Sequence, residues 1–171
     1  MTLLIPADAP RCRIVLSSET TLPASCCWIE VHKLTQGTPM AVRHCHILRG
    51  GTDYADIFNI LLDRGATVDA ADSSGRTPLS HCAEFGYPSA CRLLLDRGAA
   101  VNSADSNGRT PLSYSAESEE YYSSRCLLDG GATTDVPDVN GHTPLWYAHQ
   151  RGDWGDIYQL LLMASQAERN S

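Results

Sequence analysis

Three groups of residues in this 171-residue chain have side chains capable of chemistry. Cys26-Cys27, His32 and His44-Cys45-His46 gather soft ligands of the kind that hold zinc. Ser80-His81-Cys82 sets two nucleophiles on either side of a general base. The third group recurs: Asp72, Asp105 and Asp138 each precede a glycine, a cationic or imidazole residue and Thr-Pro-Leu. Spacing argues against the first two. Zinc sites pair C-x2-C with H-x3–5-H, a pattern missing here, and adjacent cysteines seldom serve one ion well. Incidental residues of an irregular segment are the preferred reading. On a helix, sequence neighbours do not face each other, so Ser80, His81 and Cys82 form no relay without a third group and an oxyanion site. No G-x-G-x-x-G or phosphate loop occurs. The expectation is a chain with no catalytic residue, no cofactor and no bound metal.

The third group belongs to a pattern that positions it. Thr77, Thr110 and Thr143 lie 33 residues apart, as do Gly75, Gly108 and Gly141, and Gly65, Gly98 and Gly131. Leu61-Leu62, Leu94-Leu95, Leu127-Leu128 and Leu160-Leu161 keep the same step. A fixed period of this length signals a repeat architecture. In each unit Asp-x-x-Gly forms a tight turn, Thr caps a helix and Pro suits its first position. Leu79, Cys82 and Ala83 make one narrow apolar face of small side chains. Gly86 permits a sharp bend into a second helix carrying Cys91, Leu94 and Leu95, and Gly98 ends that helix in a left-handed cap.

The phrase D-x-x-G-x-T-P-L, followed by small helix residues, a Leu-Leu pair and G-A-x-V-N or G-A-x-V-D, resembles the ankyrin repeat. The G-R-T-P-L-S form is similar to ankyrin arrays of filamentous fungi. The resemblance covers about residues 54–162 and implies an all-α solenoid of stacked helix pairs with projecting β-turns. It also implies protein binding through the turns and inner helices, without chemistry. The expected organisation is an unassigned segment over 1–50 and an array over 51–163. Within the array a degenerate unit runs to 71, with units at about 72–104, 105–137 and 138–163; residues 164–171 read as a polar tail. In the first unit H-C-H at His44 replaces T-P-L, with a displaced G-T-P-M at Gly37–Met40.

Glu119 stands where the family places its link glycine, and Ser123-Ser124 replace the apolar pairs of earlier units. A left-handed Glu119 costs about 1–2 kcal/mol. Each large apolar side chain exchanged for Ser forfeits on the order of 1.5–3 kcal/mol of burial. The third repeat is therefore expected to be the soft joint of the stack, with early amide exchange.

Composition agrees with a thin stack: 43% hydrophobic residues, but 7% aromatic and only two Phe. Residues 51–171 hold 8 Lys or Arg against 17 Asp or Glu, a net charge of −9, whereas residues 1–50 carry +2. An acidic array repels nucleic acid and anionic membranes, so the expected partner is a protein with a basic surface, bound by a monomer. Seven cysteines without C-x-x-C, and no 18-residue apolar run, point to reduced thiols in a cytoplasmic or nuclear protein.

Residues the repeat does not need for folding are expected to point outward and meet a partner. They are Ser73, Ser74, Arg76, Glu84 and Phe85; Ser106, Asn107, Arg109, Glu117 and Ser118; and Val139, Asn140, His142, Gln150 and Arg151. Phe85 is the leading candidate, as an exposed aromatic flanked by arginine. Tyr121 and Tyr122 form a second exposed-aromatic candidate. His149, at the position of Ala83 and Ala116, reads as a tolerated end-repeat substitution. The functional expectation is an adaptor, inhibitor or scaffold. Alternatives are a transcriptional co-regulator acting through a DNA-binding partner, and a regulatory or zinc-dependent enzyme subunit using the N-terminal Cys/His segment. Whether the chain is whole or a fragment is left open.

Overall fold

The computed structural model describes residues 54–150 and 155–170, and those residues form an all-α stack. The helices are α1 Tyr54–Asp63, α2 Pro78–Glu84, α3 Pro88–Asp96, α4 Pro111–Glu117, α5 Tyr121–Asp129, α6 Pro144–Gln150 and α7 Asp156–Asn170. The seven-residue helices α2, α4 and α6 lie side by side as an inner layer. Behind them α1, α3, α5 and α7 pack in sequence as an outer layer. The Gly37–Met40 and His44–His46 features and the Cys/His set lie outside the described residues.

Local chemistry explains the short inner helices. Thr77 and Thr110 are extended, and their Oγ1 atoms accept the N–H of Ser80 and Ser113 at 3.4 Å; Thr143 does the same for Trp146. Proline follows at the first helical position, where no N–H is needed. One turn later Gly86 turns left-handed (φ 70°), and the Tyr87 N–H reaches back to the Cys82 carbonyl at 2.9 Å. Outer helices stop at Gly65, Gly98 and Gly131, all at φ near 87°. Ala99 N–H then bonds Leu94 O, and Gly98 N–H bonds Leu95 O, closing the helix end with the paired bonds that a left-handed residue allows.

The apolar faces meet in one continuous cluster running from Phe58 and Leu61 to Ile157 and Leu161. Leu79, Leu94, Leu112, Leu127 and Leu161 are fully enclosed, each offering roughly 1.5–3 kcal/mol of burial. Cys82, Cys91 and Cys126 are buried and take part in no disulfide, and burial pushes Cys91 up to about 12, so it packs as a small apolar residue. His149 is exposed rather than buried like Ala83 and Ala116, with its ring 5.9 Å from that of Tyr158. Residues 164–170 continue α7 instead of forming a tail, because M-A-S-Q-A-E offers good helix formers without a break. Glu168 accepts bonds there from Thr134 N–H at 3.2 Å and Thr134 Oγ1 at 2.7 Å.

The third repeat carries the defects that its sequence announces. Glu119 holds φ 60°, and it is the one non-glycine with positive φ among the described residues. Ser123 and Ser124 are fully buried. Ser124 Oγ donates to Ser115 Oγ at 2.9 Å, which donates in turn to the Leu112 carbonyl at 3.1 Å. Ser123 Oγ finds no nitrogen or oxygen partner and is left beside the Cys91 sulfur. A buried hydroxyl so placed costs about 1–3 kcal/mol. Glu119→Gly is expected to raise stability by about 1 kcal/mol and to slow amide exchange in α5. Urea unfolding checks the first effect, and an unchanged or lower midpoint would contradict it.

Candidate functional site

Each turn is organised by its aspartate. Asp72 Oδ1 accepts the N–H groups of Ser74 and Arg76 at 2.8 and 3.1 Å. Asp105 repeats this with Asn107 and Arg109 at 2.8 and 2.9 Å, and Asp138 with Asn140 and His142, both at 2.8 Å. The second carboxylate oxygen reaches the inner helix nine residues on. Tyr114 and Tyr147 donate to Asp105 and Asp138 at 2.6 Å, and His81 Nε2 lies 3.2 Å from Asp72. Burial alone would raise the Asp138 pKa, but the Tyr147 hydroxyl and two N–H groups override it and hold it at about 2. Burial and the bond to Asp138 push Tyr147 up to about 12, and Tyr114 rises for the same reasons. These groups keep fixed protonation states across the physiological range.

The arginines of the same turns lie across these rings. Arg76 Cζ stands 3.9 Å from the Tyr114 centroid; Arg109 Cζ stands 4.1 Å from Tyr114 and 4.2 Å from Tyr147. Two guanidinium groups that close to one centroid cannot share a face, so Tyr114 carries a cation on each side. Glu84 and Glu117 pair with Arg76 and Arg109 respectively. Burial works to lower the Arg109 pKa, but bonding to Glu117 outweighs it and raises it. The inner face is thus threaded by a ladder: Arg76, Tyr114, Arg109, Tyr147. Each contact contributes about 0.5–2 kcal/mol, and those of Arg76 with Tyr114 and of Arg109 with Tyr147 link one repeat to the next.

The fourth repeat breaks the ladder. His142 and Gln150 replace the Arg–Glu pair, and His142 stacks flat on Trp146 with centroids 3.5 Å apart and planes 8° apart. Trp146 meets Tyr147 edge-on at 5.1 Å. Trp146 remains 37% exposed and neighbouring Val139 70% exposed.

Several expectations need correction. Arg76 and Arg109 do not point freely outward: each side chain is only 16% exposed, because it lies between rings and a carboxylate. Glu84 and Glu117 are their partners rather than idle surface groups. Phe85 is half-buried against Tyr87, at 6.3 Å between centroids, not an exposed aromatic. Tyr121 is half-buried and Tyr122 is exposed, but they face the outer layer, where Tyr122 helps line a groove of about 510 Å³ with Leu93 and Cys126. Ser73, Ser106, Asn107, Val139, Asn140 and Gln150 are exposed as expected, while Ser74 and Ser118 are half-buried. Ser106 staples adjacent turns: its N–H and hydroxyl both donate to the Ser74 carbonyl, and Val139 N–H donates to Asn107 O. Arg151 lies outside the described residues.

The ladder tyrosines, His81 and Trp146 were not singled out as site residues by their sequence pattern. The available signal was a ring at the ninth position after every turn aspartate. Ser80-His81-Cys82 is buried throughout, with Ser80 Oγ 3.3 Å from Thr77 Oγ1 and His81 held by Asp72, so these groups serve the fold. Among the described residues no group of three His, Cys, Asp or Glu side chains is placed to hold a metal ion.

The family model for ankyrin repeats, in three copies, matches residues 29–105. The helix pairs continue the same 33-residue step beyond that match, to residue 170. No curated protein matches the chain.

His81 yields a pH prediction. Burial lowers its pKa below the ordinary 6.5, with Arg76 acting in the same direction, while Asp72 opposes both. The unfolded chain therefore binds the proton first, so the stability is present above pH 6.5 and is lost as pH falls below it. His81→Tyr, which copies Tyr114 and Tyr147, is expected to flatten the fall in stability between about pH 6.5 and 5. Urea midpoints across that range test this, and parallel profiles for the two proteins would refute it.

Proposed function

The chain is an ankyrin-repeat protein, and from that premise we propose that it is a non-catalytic adaptor, inhibitor or scaffold binding a partner through its inner face. Ankyrin repeats mediate protein–protein interaction. One observation supports placing the partner here. The chemistry-bearing side chains of the inner layer are locked into the fold, while Ser73, Asn107, Val139, Asn140 and Gln150 stand exposed along turns and inner helices. The proposal includes a partner with a basic surface, favoured by the −9 charge of residues 51–171. It also includes a monomer in the cytoplasm or nucleus that makes no direct contact with nucleic acid or membrane. The division at residues 50, 71, 104 and 137 is part of the same reading.

A triple variant, Asn107→Arg, Val139→Arg and Gln150→Arg, adds positive charge to this face without touching the ladder. Quantitative affinity capture from source-cell extract, after circular dichroism confirms folding, is expected to recover a partner with the unaltered chain and lose it with the variant. Identical recovery by both would defeat the inner-face assignment.

A further inference from the structure

Resting on that reading, we propose that the aromatic end of the inner face, built from Trp146, Tyr147 and His142, seats an arginine side chain of the partner. Three observations lead there. Along the inner face guanidinium groups and rings alternate, with spacings of 3.9 to 4.2 Å, so the fold already uses this pairing three times. Tyr114 has a guanidinium on each side, whereas among the described residues Tyr147 receives one from Arg109 alone; on its own repeat it meets His142 edge-on at 6.0 Å. The position that would supply the next cation is His142, and it stacks on Trp146 instead, stiffening an indole that stays more than a third exposed.

The charge surroundings select a cation over an apolar occupant. The Asp138 carboxylate lies 3.6 Å from His142 Nδ1, and residues 51–171 carry a net charge of −9. Gln150 and Val139, exposed in the same repeat, bring no positive charge of their own. A guanidinium is flat, weakly hydrated and able to stack on an indole while its N–H groups stay in water, which fits an exposed aromatic platform on an acidic chain better than an ammonium. The partner thus supplies the rung that the fourth repeat omits.

The test uses the full chain and two probes: the N-acetylated peptide Gly-Arg-Gly-Arg-Gly amide, and its twin with citrulline for arginine. The readout is NMR, with the Trp146 indole N–H assigned through Trp146→Phe. The arginine peptide is expected to shift that resonance saturably. The citrulline twin should bind at least about tenfold more weakly; read on the backbone amides of the fourth repeat, Trp146→Phe should retain binding and Trp146→Ala should lose it. Equal shifts with both peptides, or shifts at Asn107 and Val139 that leave Trp146 unmoved, would overturn the arginine seat while leaving the inner-face reading intact. Shifts confined to the groove between α3 and α5 would overturn both. No shift at all would overturn the seat alone, since the capture experiment tests the wider reading separately.

Discussion

A buried carboxylate with four lone-pair directions must be satisfied, and in this chain that need ties turn to helix in every complete unit. One oxygen of Asp72, Asp105 or Asp138 closes the turn by accepting two backbone N–H groups, and the other takes a side chain from the inner helix. Because that donor is a tyrosine in two units, it also offers a phenol face on which an arginine can lie. The arginine extends to the neighbouring ring and so joins repeats. Turn geometry, helix placement and inter-repeat order thus descend from one aspartate per unit. Net values of about 1.5–3 kcal/mol for such charge-assisted bonds make them comparable to a buried leucine.

The same arrangement separates what folds the chain from what is free to recognise a partner. Side chains that look reactive in isolation, His81, the tyrosines and the arginines, are each held by a neighbouring carboxylate, although Arg76 Nε, Arg109 Nε and His81 Nδ1 stay buried without a hydrogen-bond partner. The side chains left over are small, polar or apolar residues at turn tips and along the inner helices. The ladder stays ordered through Tyr147 and then gives way to an exposed indole. The inner face therefore has a rigid, charge-neutralised floor and an aromatic end.

Much of this was legible in the sequence. The 33-residue step, the Thr-Pro caps and the glycine stops gave turn, helix, link and helix in the right order, because each rests on backbone rules that need only local residues. Glu119 was legible too, since a link that demands positive φ keeps that demand whatever residue occupies it. The outward arginines were misread for a complementary reason. Much of their environment is made by a ring in the next repeat, Tyr114 for Arg76 and Tyr147 for Arg109, each 38 residues away, and a turn residue read alone looks exposed. Phe85 failed similarly: its burial comes from Tyr87 beyond the link glycine. The family match ends at residue 105, and the repeat beyond it holds the substitutions that weaken the pattern, Glu119 and Ser123-Ser124, although the fold absorbs them.

The turn aspartate's grip on the inner helix is the central claim, and a double-mutant cycle of Asp105→Asn and Tyr114→Phe on urea unfolding measures it most directly. The asparagine keeps an acceptor for Asn107 and Arg109, so the cycle isolates the bond to the ring hydroxyl. The account predicts that each single change destabilises and that the two couple by about 1 kcal/mol or more. Additive effects, within about 0.3–0.5 kcal/mol, would show that turn and helix are held by packing alone and would contradict it.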